Sequence, residues 1–330
     1  MSIINDDINN IINDFDMSVF DNKTILVTGA TGLIGKICTK CFLASKYNIK
    51  VVALVRNEQK ALNIFDKNQN LELLVQDINT QINYEPNVDY IIHCANITSS
   101  KDFVNKPSET IFTTVNGTKN VLDFAQVKKV KSVVFLSSLE IYGQTSQEDV
   151  KEDNYGYIDI LNPRSSYSEG KRLAETLCVS YWHEFKVPVK IARLAQTFGA
   201  GISKDDNRVF AQFAKAVLNK ENIILHTKGE TKRNYCYTSD AVRAIFTILI
   251  RGENSQAYNV ANKNTYVSIY ELAQMFENEY SKVKIIEDNI NRGYNPTVRI
   301  ALNTEKLEKL GWEAKINLTE MINRLINDIE

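Results

Sequence analysis

The chain has 330 residues, of which 39 are Lys or Arg and 40 are Asp or Glu, so its formal net charge at pH 7 is −1. With a sequence pI of about 6.4, it offers no strongly basic surface for nucleic acid or an anionic membrane. No apolar run approaches the roughly 18 residues that a membrane helix needs, and residues 1–22 are acidic and Asn-rich, unlike a signal peptide. We therefore expect a cytoplasmic protein with a small-molecule partner and with no nucleic-acid or membrane partner.

Residues 1–22 predict a helical arm. Their apolar side chains recur at helical spacing, which suits packing either on the body of the protein or on a partner subunit. These side chains are Ile3, Ile4, Ile8, Ile11, Ile12 and Phe15.

Between residues 23 and 195, short apolar runs alternate with helical patterns. The runs cover residues 24–28, 50–55, 71–75, 88–93, 131–136 and 189–194. Apolar strands separated by helices are typical of a parallel sheet covered on both faces, so this part predicts a doubly wound α/β Rossmann domain that binds a dinucleotide. Residues 196–330 predict a smaller α/β lobe, mainly for substrate binding, with the ligand between the two parts.

A glycine-rich turn follows the first predicted strand directly and opens a helix. Its sequence is Thr28-Gly29-Ala30-Thr31-Gly32-Leu33-Ile34-Gly35. Gly29 permits the tight bend, Gly32 lets the backbone approach a pyrophosphate, and Gly35 allows close packing of helix on strand. We therefore expect residues 29 and 31–35 to bind a dinucleotide cofactor at the helix N-terminus.

The end of the second strand bears on which nicotinamide dinucleotide is bound. An NAD site normally has Asp or Glu there for the ribose 2′-hydroxyl, whereas this chain has Val55 followed by Arg56. Because a guanidinium can pair with a 2′-phosphate, the sequence favours NADP over NAD. Asp77, at the end of the third strand, either meets the adenine amino group or caps a turn.

Cys38 and Cys41 have the spacing of a redox or zinc pair. No second pair and no histidine cluster accompanies them in the sequence. We interpret them as small core residues, as we do His93 and Cys94 at the end of a buried strand, and we expect no metal site.

Ser138, Tyr167 and Lys171 form a candidate proton-abstraction device. Tyr167 and Lys171 are four residues apart, so they share one face of a helix. The ammonium is expected to lower the pKa of the phenol and make it a usable base, while Ser138 holds the substrate hydroxyl that loses its proton. Because the Tyr–Lys spacing alone also fits an exposed helix pair, this assignment depends on the cofactor turn in the same chain.

Together these residues resemble the extended short-chain dehydrogenase/reductases, in particular the NAD(P)-dependent sugar-nucleotide epimerase/dehydratase family. The likeness covers residues 23–328. It is carried in order by the cofactor turn, Asp77-Ile78, Asn116-Gly117-Thr118-Lys119-Asn120, Ser138, Tyr142-Gly143, Tyr167 and Lys171. The resemblance implies that Asp77 and Ile78 contact adenine and that Lys171 holds the nicotinamide ribose.

Three segments are most similar to UDP-glucuronate decarboxylases, namely residues 162–176, 206–209 and 233–237. The resemblance implies a nucleotide-sugar substrate. It also implies a homodimer built on two helices, residues 109–126 and 167–185.

Arginines are the expected ligands of the nucleotide diphosphate. The resemblance implies that Arg233 and Arg299 clamp it and that Arg208 is a further candidate, since a guanidinium fork matches phosphate oxygens. Without the resemblance, each would be interpreted as a surface ion-pair residue. Gln196 replaces the Asn that the family usually has after the sixth strand, so a substrate contact at this position has a longer reach.

Leu139 is the sharper departure from the family pattern. The 4,6-dehydratases typically have an acidic residue at this place, and the decarboxylases have a small hydroxyl residue that holds the substrate carboxylate. Leucine has no hydrogen-bonding group and can do neither. The neighbouring Glu140 is a candidate for an additional acid or base, and alternatively a solvated or cofactor-side carboxylate.

The implied chemistry starts with transient oxidation of the sugar at C4, and the fate of the 4-keto sugar then sets the reaction. We expect a 4-epimerase or a UDP-glucuronate-decarboxylase-like enzyme that makes activated sugars for surface polysaccharide. The alternatives are an NADPH-dependent 4-ketoreductase and a 4,6-dehydratase. A non-catalytic dinucleotide-binding sensor is an alternative of another class, against which the intact Ser138, Tyr167 and Lys171 argue.

Overall fold

The computed structural model describes residues 2–145, 147–277, 282–286 and 297–329. Residue 1 of the predicted arm and residues 278–281, 287–296 and 330 of the predicted lobe lie outside this description. The strands are β1 (Lys23–Thr28), β2 (Ile49–Val55), β3 (Leu71–Val75), β4 (Tyr90–His93), β5 (Ser132–Ser138), β6 (Asp149–Val150), β7 (Val189–Leu194), β8 (Gln196–Phe198), β9 (Ile223–Leu225), β10 (Lys232–Tyr237), β11 (Ala257–Val260), β12 (Asn262–Ser268), β13 (Val283–Ile285) and β14 (Arg299–Leu302). The helices are α1 (Ile3–Asp14), α2 (Leu33–Ala44), α3 (Glu58–Ile64), α4 (Ser100–Asn105), α5 (Pro107–Lys128), α6 (Ser165–Phe185), α7 (Val209–Leu218), α8 (Thr238–Arg251), α9 (Ile269–Phe276), α10 (Glu305–Glu308) and α11 (Leu318–Ile329).

A seven-stranded parallel sheet forms the centre of the fold, in the order β11-β7-β5-β4-β1-β2-β3. Its middle strands are apolar along their whole length because helices cover both faces; Ile25, Leu26 and Val27 of β1, for example, are fully buried. The strand order reverses between β1 and β4, which opens a crevice at the carboxyl ends of the strands. The predicted doubly wound Rossmann sheet is confirmed.

The second part of the chain builds a smaller α/β lobe around β10. This strand pairs with β12 in antiparallel fashion and with β8 and β14 in parallel fashion, and β6 extends the sheet beside β14. A short parallel pair, β9 and β13, lies apart from it. Helices α7, α9 and α11 share one apolar core with these strands.

Two elements of the C-terminal part belong to the first sheet. β11 adds the edge strand next to β7, and α8 packs on β5 and β7 with Ile245, Phe246 and Ile248 fully buried. The proposed boundary at residue 195 therefore divides the expected cofactor-binding part from the expected substrate-binding part. It does not divide the packing, because β11 and α8 lie after it and belong to the first sheet.

The N-terminal arm packs on the body of its own chain. α1 lies against α2, α8 and α11, with Ile8 and Ile11 buried. The segment that follows contributes Phe15 and Phe20 to an aromatic cluster with Phe42 and Phe246, whose ring centroids are 4.9 to 5.9 Å apart. Of the two expected positions for the arm, the structure shows packing on the body of the protein.

The five cysteines are free thiols, and Cys38 and Cys41 are buried in the core on α2. Across the described ranges, no group of three or more His, Cys, Asp or Glu side chains is arranged to hold a metal ion. None of the helices in the described part of the chain is both long and apolar enough to cross a membrane.

Candidate active site

A cavity of about 460 Å³ lies at the carboxyl ends of the central strands. It is lined from the ends of β1, β2, β4, β5 and β7 and from α6. Of the predicted site residues, it brings together Gly29, Thr31, Gly32, Leu33, Ile34, Gly35, Arg56, Ile78, Ser138, Glu140, Tyr167, Lys171, Gln196 and Arg208. The lining, as far as the chain is described, leaves out Asp77, Arg233 and Arg299.

The glycine turn has the close backbone approach that a dinucleotide needs. Gly29 has a φ of +64°, and a Cβ at this position would lie 2.8 Å from the backbone of Ala95. A Cβ at Gly35 would collide with the carbonyl oxygen of Gly29. Gly32 begins α2 without a side-chain cap, so the first amides of the helix are left for an anion. The turn therefore fits the pyrophosphate of a dinucleotide.

Asn96 is a cavity residue that our sequence reasoning missed. Its Oδ1 accepts hydrogen bonds from Thr114 Oγ1 at 3.0 Å and from the backbone nitrogen of Ile97 at 2.7 Å. Its Nδ2 is buried and has no hydrogen-bond partner among the described residues, which leaves a donor beside the cavity that Asn96 lines. The available signal was a polar side chain three residues after His93, where a parallel strand ends.

The segment that follows β2 brings positive charge to the cavity. The described residues of this segment that line the cavity are Arg56, Asn57 and Lys60, and none of them is Asp or Glu. Asp77 accepts a hydrogen bond from the backbone nitrogen of Asn79 at 2.8 Å and so caps its own turn, which is one of the two roles expected for it. Its adenine contact stays a prediction.

Ser138, Tyr167 and Lys171 converge where β5 ends opposite the first turns of α6. A hydrogen bond joins Tyr167 to Ser138. The Nζ of Lys171 donates to the carbonyl oxygen of Leu136 at 2.5 Å and lies 5.9 Å from the centroid of the Tyr167 ring. The arrangement brings a hydroxyl, a phenol and an amine to one wall of the cavity.

Phe103 covers the Tyr167 ring, a contact that no local sequence pattern predicts. The two rings are stacked with centroids 4.2 Å apart and planes 9° apart, and Ser166 Oγ donates to the carbonyl oxygen of Phe103 at 3.0 Å. The short helix α4 thus holds an apolar lid over the phenol, which keeps water from one face of it.

Burial raises the pKa of Tyr167 above its usual value. The Glu140 carboxylate raises this pKa further, whereas the Ser138 hydrogen bond and the charges of Arg208 and Arg164 lower it. The net shift is opposite to the expected one, because the lost hydration of a buried phenolate outweighs the nearby positive charge. The phenol is therefore protonated at neutral pH in this structure and needs further positive charge in the cavity to act as a base.

Burial also lowers the pKa of Lys171 to about 7, although the nearby Glu175 carboxylate raises it. The amine is thus close to half-protonated at neutral pH. Its charge, and with it the support for a phenolate, depends on what occupies the cavity.

Glu140 is held as a carboxylate by Arg164. The two guanidinium nitrogens Nη1 and Nη2 donate to its two oxygens at 2.8 and 3.1 Å, and Ser168 Oγ donates at 3.4 Å. Burial raises the pKa of Glu140, but the hydrogen bonds and charge of Arg164, with the charge of Arg233, hold it below the usual range. The lowered pKa and the two-point pairing make Glu140 a weak base and no acid at neutral pH, and its role as an additional acid or base stays a prediction.

The predicted substrate residues are distributed unevenly. Gln196 and Arg208 line the cavity, and Arg208 is held by a fork to Asp206 and by a 3.2 Å hydrogen bond to the carbonyl oxygen of Thr197. Arg233 lies on β10, where its Nε is buried without a hydrogen-bond partner in the described residues. Arg299 is exposed at the start of β14.

Leu139 is buried in the core under the cavity, with 5% of its surface exposed. The described lining includes Ser138 and Glu140 on either side of it, but not Leu139 itself. This position therefore offers the cavity no hydrogen-bonding side chain.

Comparison with known proteins gives the family. Residues 25–261 match the model of the NAD dependent epimerase/dehydratase family. The chain belongs to this family. The enzyme is 31% identical over 304 residues to UDP-glucuronic acid decarboxylase 5 of Arabidopsis thaliana, an alignment covering 91% of this chain and 87% of that one. It is 30% identical to UDP-glucuronic acid decarboxylase 1 of Xenopus tropicalis, covering 94% of this chain and 73% of that one.

Solved structures agree on the fold. An epimerase of Methanothermobacter thermautotrophicus has a TM-score of 0.82 at 21% identity, covering 96% of this chain and 94% of the other. The UDP-glucose 4-epimerase of Thermotoga maritima, solved with UDP-glucose, has a TM-score of 0.77 at 21% identity, covering 92% and 98%. The family expected from the sequence motifs is confirmed, and this chain is an enzyme of that NAD-dependent family.

The low pKa of Lys171 predicts a pH dependence of stability. Between its folded pKa of about 7 and its ordinary value near 10.5, the unfolded chain binds one more proton than the folded one, so stability rises with pH. From about pH 7 to about pH 8.5, the unfolding free energy of the protein without added cofactor should rise by about 1–2 kcal/mol more than that of Lys171→Met. Urea unfolding at both pH values measures the difference. Burial also lowers the pKa of Lys190 to about 8, but this side chain is present in both proteins, so its contribution cancels. Parallel curves for the two proteins would contradict the assignment.

Proposed function

We propose that the enzyme oxidises C4 of a nucleotide sugar transiently and restores the hydrogen on the opposite face, as a 4-epimerase. The observation that carries the proposal is the convergence of Ser138, Tyr167 and Lys171 in one cavity with the glycine turn. The burial of Leu139 supports epimerisation over the alternatives, because nothing at this position can hold a C5 carboxylate or act as an acid toward C6.

Proton transfer at the sugar is the task of the chain's own side chains. Ser138 orients the C4 hydroxyl and Tyr167 takes its proton; the same phenol returns it when the alcohol is re-formed. Lys171, anchored at Leu136, supplies positive charge that favours the phenolate. A bound NAD(P) would supply a reversible acceptor for the C4 hydride. The Asn96 donor and the glycine turn would hold this cofactor.

The charges around the cavity support a nucleotide diphosphate as the group that anchors the sugar. Arg208 lines the cavity, as Gln196 does. Arg233, whose charge lowers the pKa of Glu140, has a buried Nε with no hydrogen-bond partner among the described residues. Both guanidiniums can donate to phosphate oxygens, although Arg208 has only the N–H groups left over from its fork to Asp206. Arg299 can join them only as an exposed outer contact. The Thermotoga epimerase carries UDP-glucose, so UDP-sugars are the first substrates to test.

Decarboxylation of a UDP-glucuronate-like sugar is the second candidate. It is favoured by the identity of about 30% with decarboxylases over more than nine-tenths of this chain. In that case a residue other than Leu139 must hold the carboxylate, and Arg208 is the cation in the lining that is suited to it. Ketoreduction, dehydration and a non-catalytic sensor rank behind these two.

Incubation with UDP-, dTDP-, GDP- and CDP-sugars, with and without NADPH, followed by mass spectrometry, distinguishes the reactions. We expect an unchanged mass with a new chromatographic peak and no consumption of NADPH. Tyr167→Phe should lower kcat about 100-fold or more while the Kd for cofactor stays within about twofold. Tyr84→Phe is the control for loss of a hydrogen-bonded phenol elsewhere in the fold, since Tyr84 Oη donates to Glu72 at 2.8 Å and is not among the described residues that line the cavity.

A different product would identify a different reaction and contradict the proposed epimerisation. Loss of CO2 would establish the decarboxylase, loss of water the dehydratase, and gain of two hydrogens with stoichiometric NADPH consumption the ketoreductase. Full turnover by Tyr167→Phe would remove the phenol from the mechanism.

We also propose that NADP is preferred over NAD, because Arg56 and Lys60 line the cavity where a 2′-phosphate would lie. Arg56→Ala should raise the Kd for NADP about tenfold and leave that for NAD within about twofold. Isothermal titration of both dinucleotides measures this, with Lys67→Ala on the exposed chain beyond α3 as the control. Tighter binding of NAD by the unsubstituted enzyme would reverse the preference.

A homodimer through α5 and α6 is the third part of the proposal. Both helices expose large apolar side chains, among them Phe112 at 60% and Leu173 at 48%, which a partner would cover. Sedimentation velocity should give a dimer for the enzyme and a monomer for Phe112→Asp. The control Leu62→Asp, exposed on α3, should remain dimeric. A monomeric parent enzyme would exclude this assembly.

A further inference from the structure

Asp7 on α1 is a buried carboxylate with two strong partners from the far end of the chain. Only 1% of it is exposed. Tyr237 Oη, at the end of β10, donates to its Oδ2 at 2.6 Å, and Arg324 Nη1 on α11 donates to its Oδ1 at 2.6 Å. A charge is seldom buried so completely unless it is paired and hydrogen-bonded, as this one is.

Tyr237 also contacts the segment of residues 199–201. Its hydroxyl oxygen accepts from the backbone nitrogen of Ala200 at 3.4 Å. Gly199 has a φ of +155° and passes so close to the Tyr237 ring that a Cβ there would collide with it. In addition, β8 pairs with β10 through Phe198 opposite Tyr237.

Two more side chains fix the same segment from other helices. Lys36 Nζ on α2 donates to the carbonyl oxygen of Gly201 at 2.8 Å, and Asp328 on α11 accepts from the Gly201 nitrogen at 2.6 Å. The segment is thus held between the terminal helices α1 and α11 on one side and the cofactor-side helix α2 on the other.

Residues 199–201 connect directly to the cavity wall. Gln196 and Thr197 immediately before them line the cavity, and Arg208 beyond them lines it too. Arg208 Nη1 donates to the carbonyl oxygen of Thr197 at 3.2 Å. A shift of the segment would therefore move both Thr197 and the guanidinium that depends on it.

We propose that Asp7 is a positioning residue for the phosphate end of the substrate site, acting through Tyr237 and residues 199–201 on Arg208. The N-terminal helix is then part of the substrate-binding apparatus, although the region that matches the family model begins only at residue 25. This inference rests on the proposed binding of a nucleotide diphosphate by Arg208.

Because Asp7 is ionisable, its effect on substrate binding should depend on pH. Burial raises the pKa of Asp7 to about 6, although Tyr237 and Arg324 lower it. The charged or titratable groups facing it are Tyr237, Arg324, Asp328 and the thiol of Cys41. Above this pKa the carboxylate attracts Arg324; as pH falls through it, Asp7 becomes neutral and the clamp weakens.

Asp7→Asn tests the inference, because Asn keeps the size but turns an amide toward Arg324. Titration calorimetry with UDP, dTDP, GDP and CDP first identifies the nucleotide that the unsubstituted enzyme binds. Asp7→Asn should raise the Kd for that nucleotide and the KM for its sugar about three- to tenfold, with kcat and the cofactor Kd within about twofold. Below about pH 6, KM of the unsubstituted enzyme should rise toward that of Asp7→Asn, whose own KM should change less.

Ile8→Ala is the matched control, since Ile8 is buried on the same helix and its side chain has no hydrogen-bonding group that could join the relay. It should lower Tm without changing the Kd for nucleotide. If Asp7→Asn does not fold, Tyr237→Phe removes the same hydroxyl link and should give the same rise in KM. An unchanged Kd in a folded Asp7→Asn, or an equal rise in Ile8→Ala, overturns the inference. Failure of the unsubstituted enzyme to bind any of the four nucleotides would instead overturn the proposed function beneath it.

Discussion

A single buried ion pair ties α6 to the central sheet. Arg193 on β7 is 2% exposed and binds both carboxylate oxygens of Glu175 on α6, at 2.7 to 3.2 Å. The same guanidinium donates to Tyr142, at the end of the segment that begins with Ser138, at 2.9 Å. One planar cation thus links α6, which carries Tyr167 and Lys171, to the segment that follows Ser138. Breaking such a pair costs about 3–5 kcal/mol, so this geometry is costly to disturb.

The proposed chemistry depends on the combined charges of several buried groups rather than on the shifted pKa of any one of them. A buried phenol and a buried amine each favour their neutral forms, while the fork between Arg164 and Glu140 fixes a neutral pair of opposite charges beside them. Bound ligands that bring charge into the cavity will therefore shift several protons together. Phe103, stacked on the phenol ring, shields one of its faces.

The sequence predicted the parts of the fold that rest on local patterns. Apolar runs located six strands of the central sheet, and glycine spacing located the cofactor turn, because both follow from short stretches of chain. β11 was missed, since Ala257–Val260 is short and joins the sheet only through its long-range pairing with β7. Arg164, Asn96 and Phe103 were missed for the same reason: their roles come from partners between 18 and 64 residues away. The expected lowering of the Tyr167 pKa failed because burial cannot be read from spacing.

The position of β11 late in the chain affects when the central sheet can be completed during synthesis. A chain growing from the ribosome completes β7 about sixty residues before its edge partner emerges. Until then β7 presents an open row of backbone groups, and Tyr142 lacks Asn259 of β11, to whose Oδ1 it donates at 2.6 Å in the finished protein. A fragment ending near residue 195 would retain that open edge at β7 and would lack the Asn259 contact of Tyr142. The central sheet is finished by the half of the chain that follows.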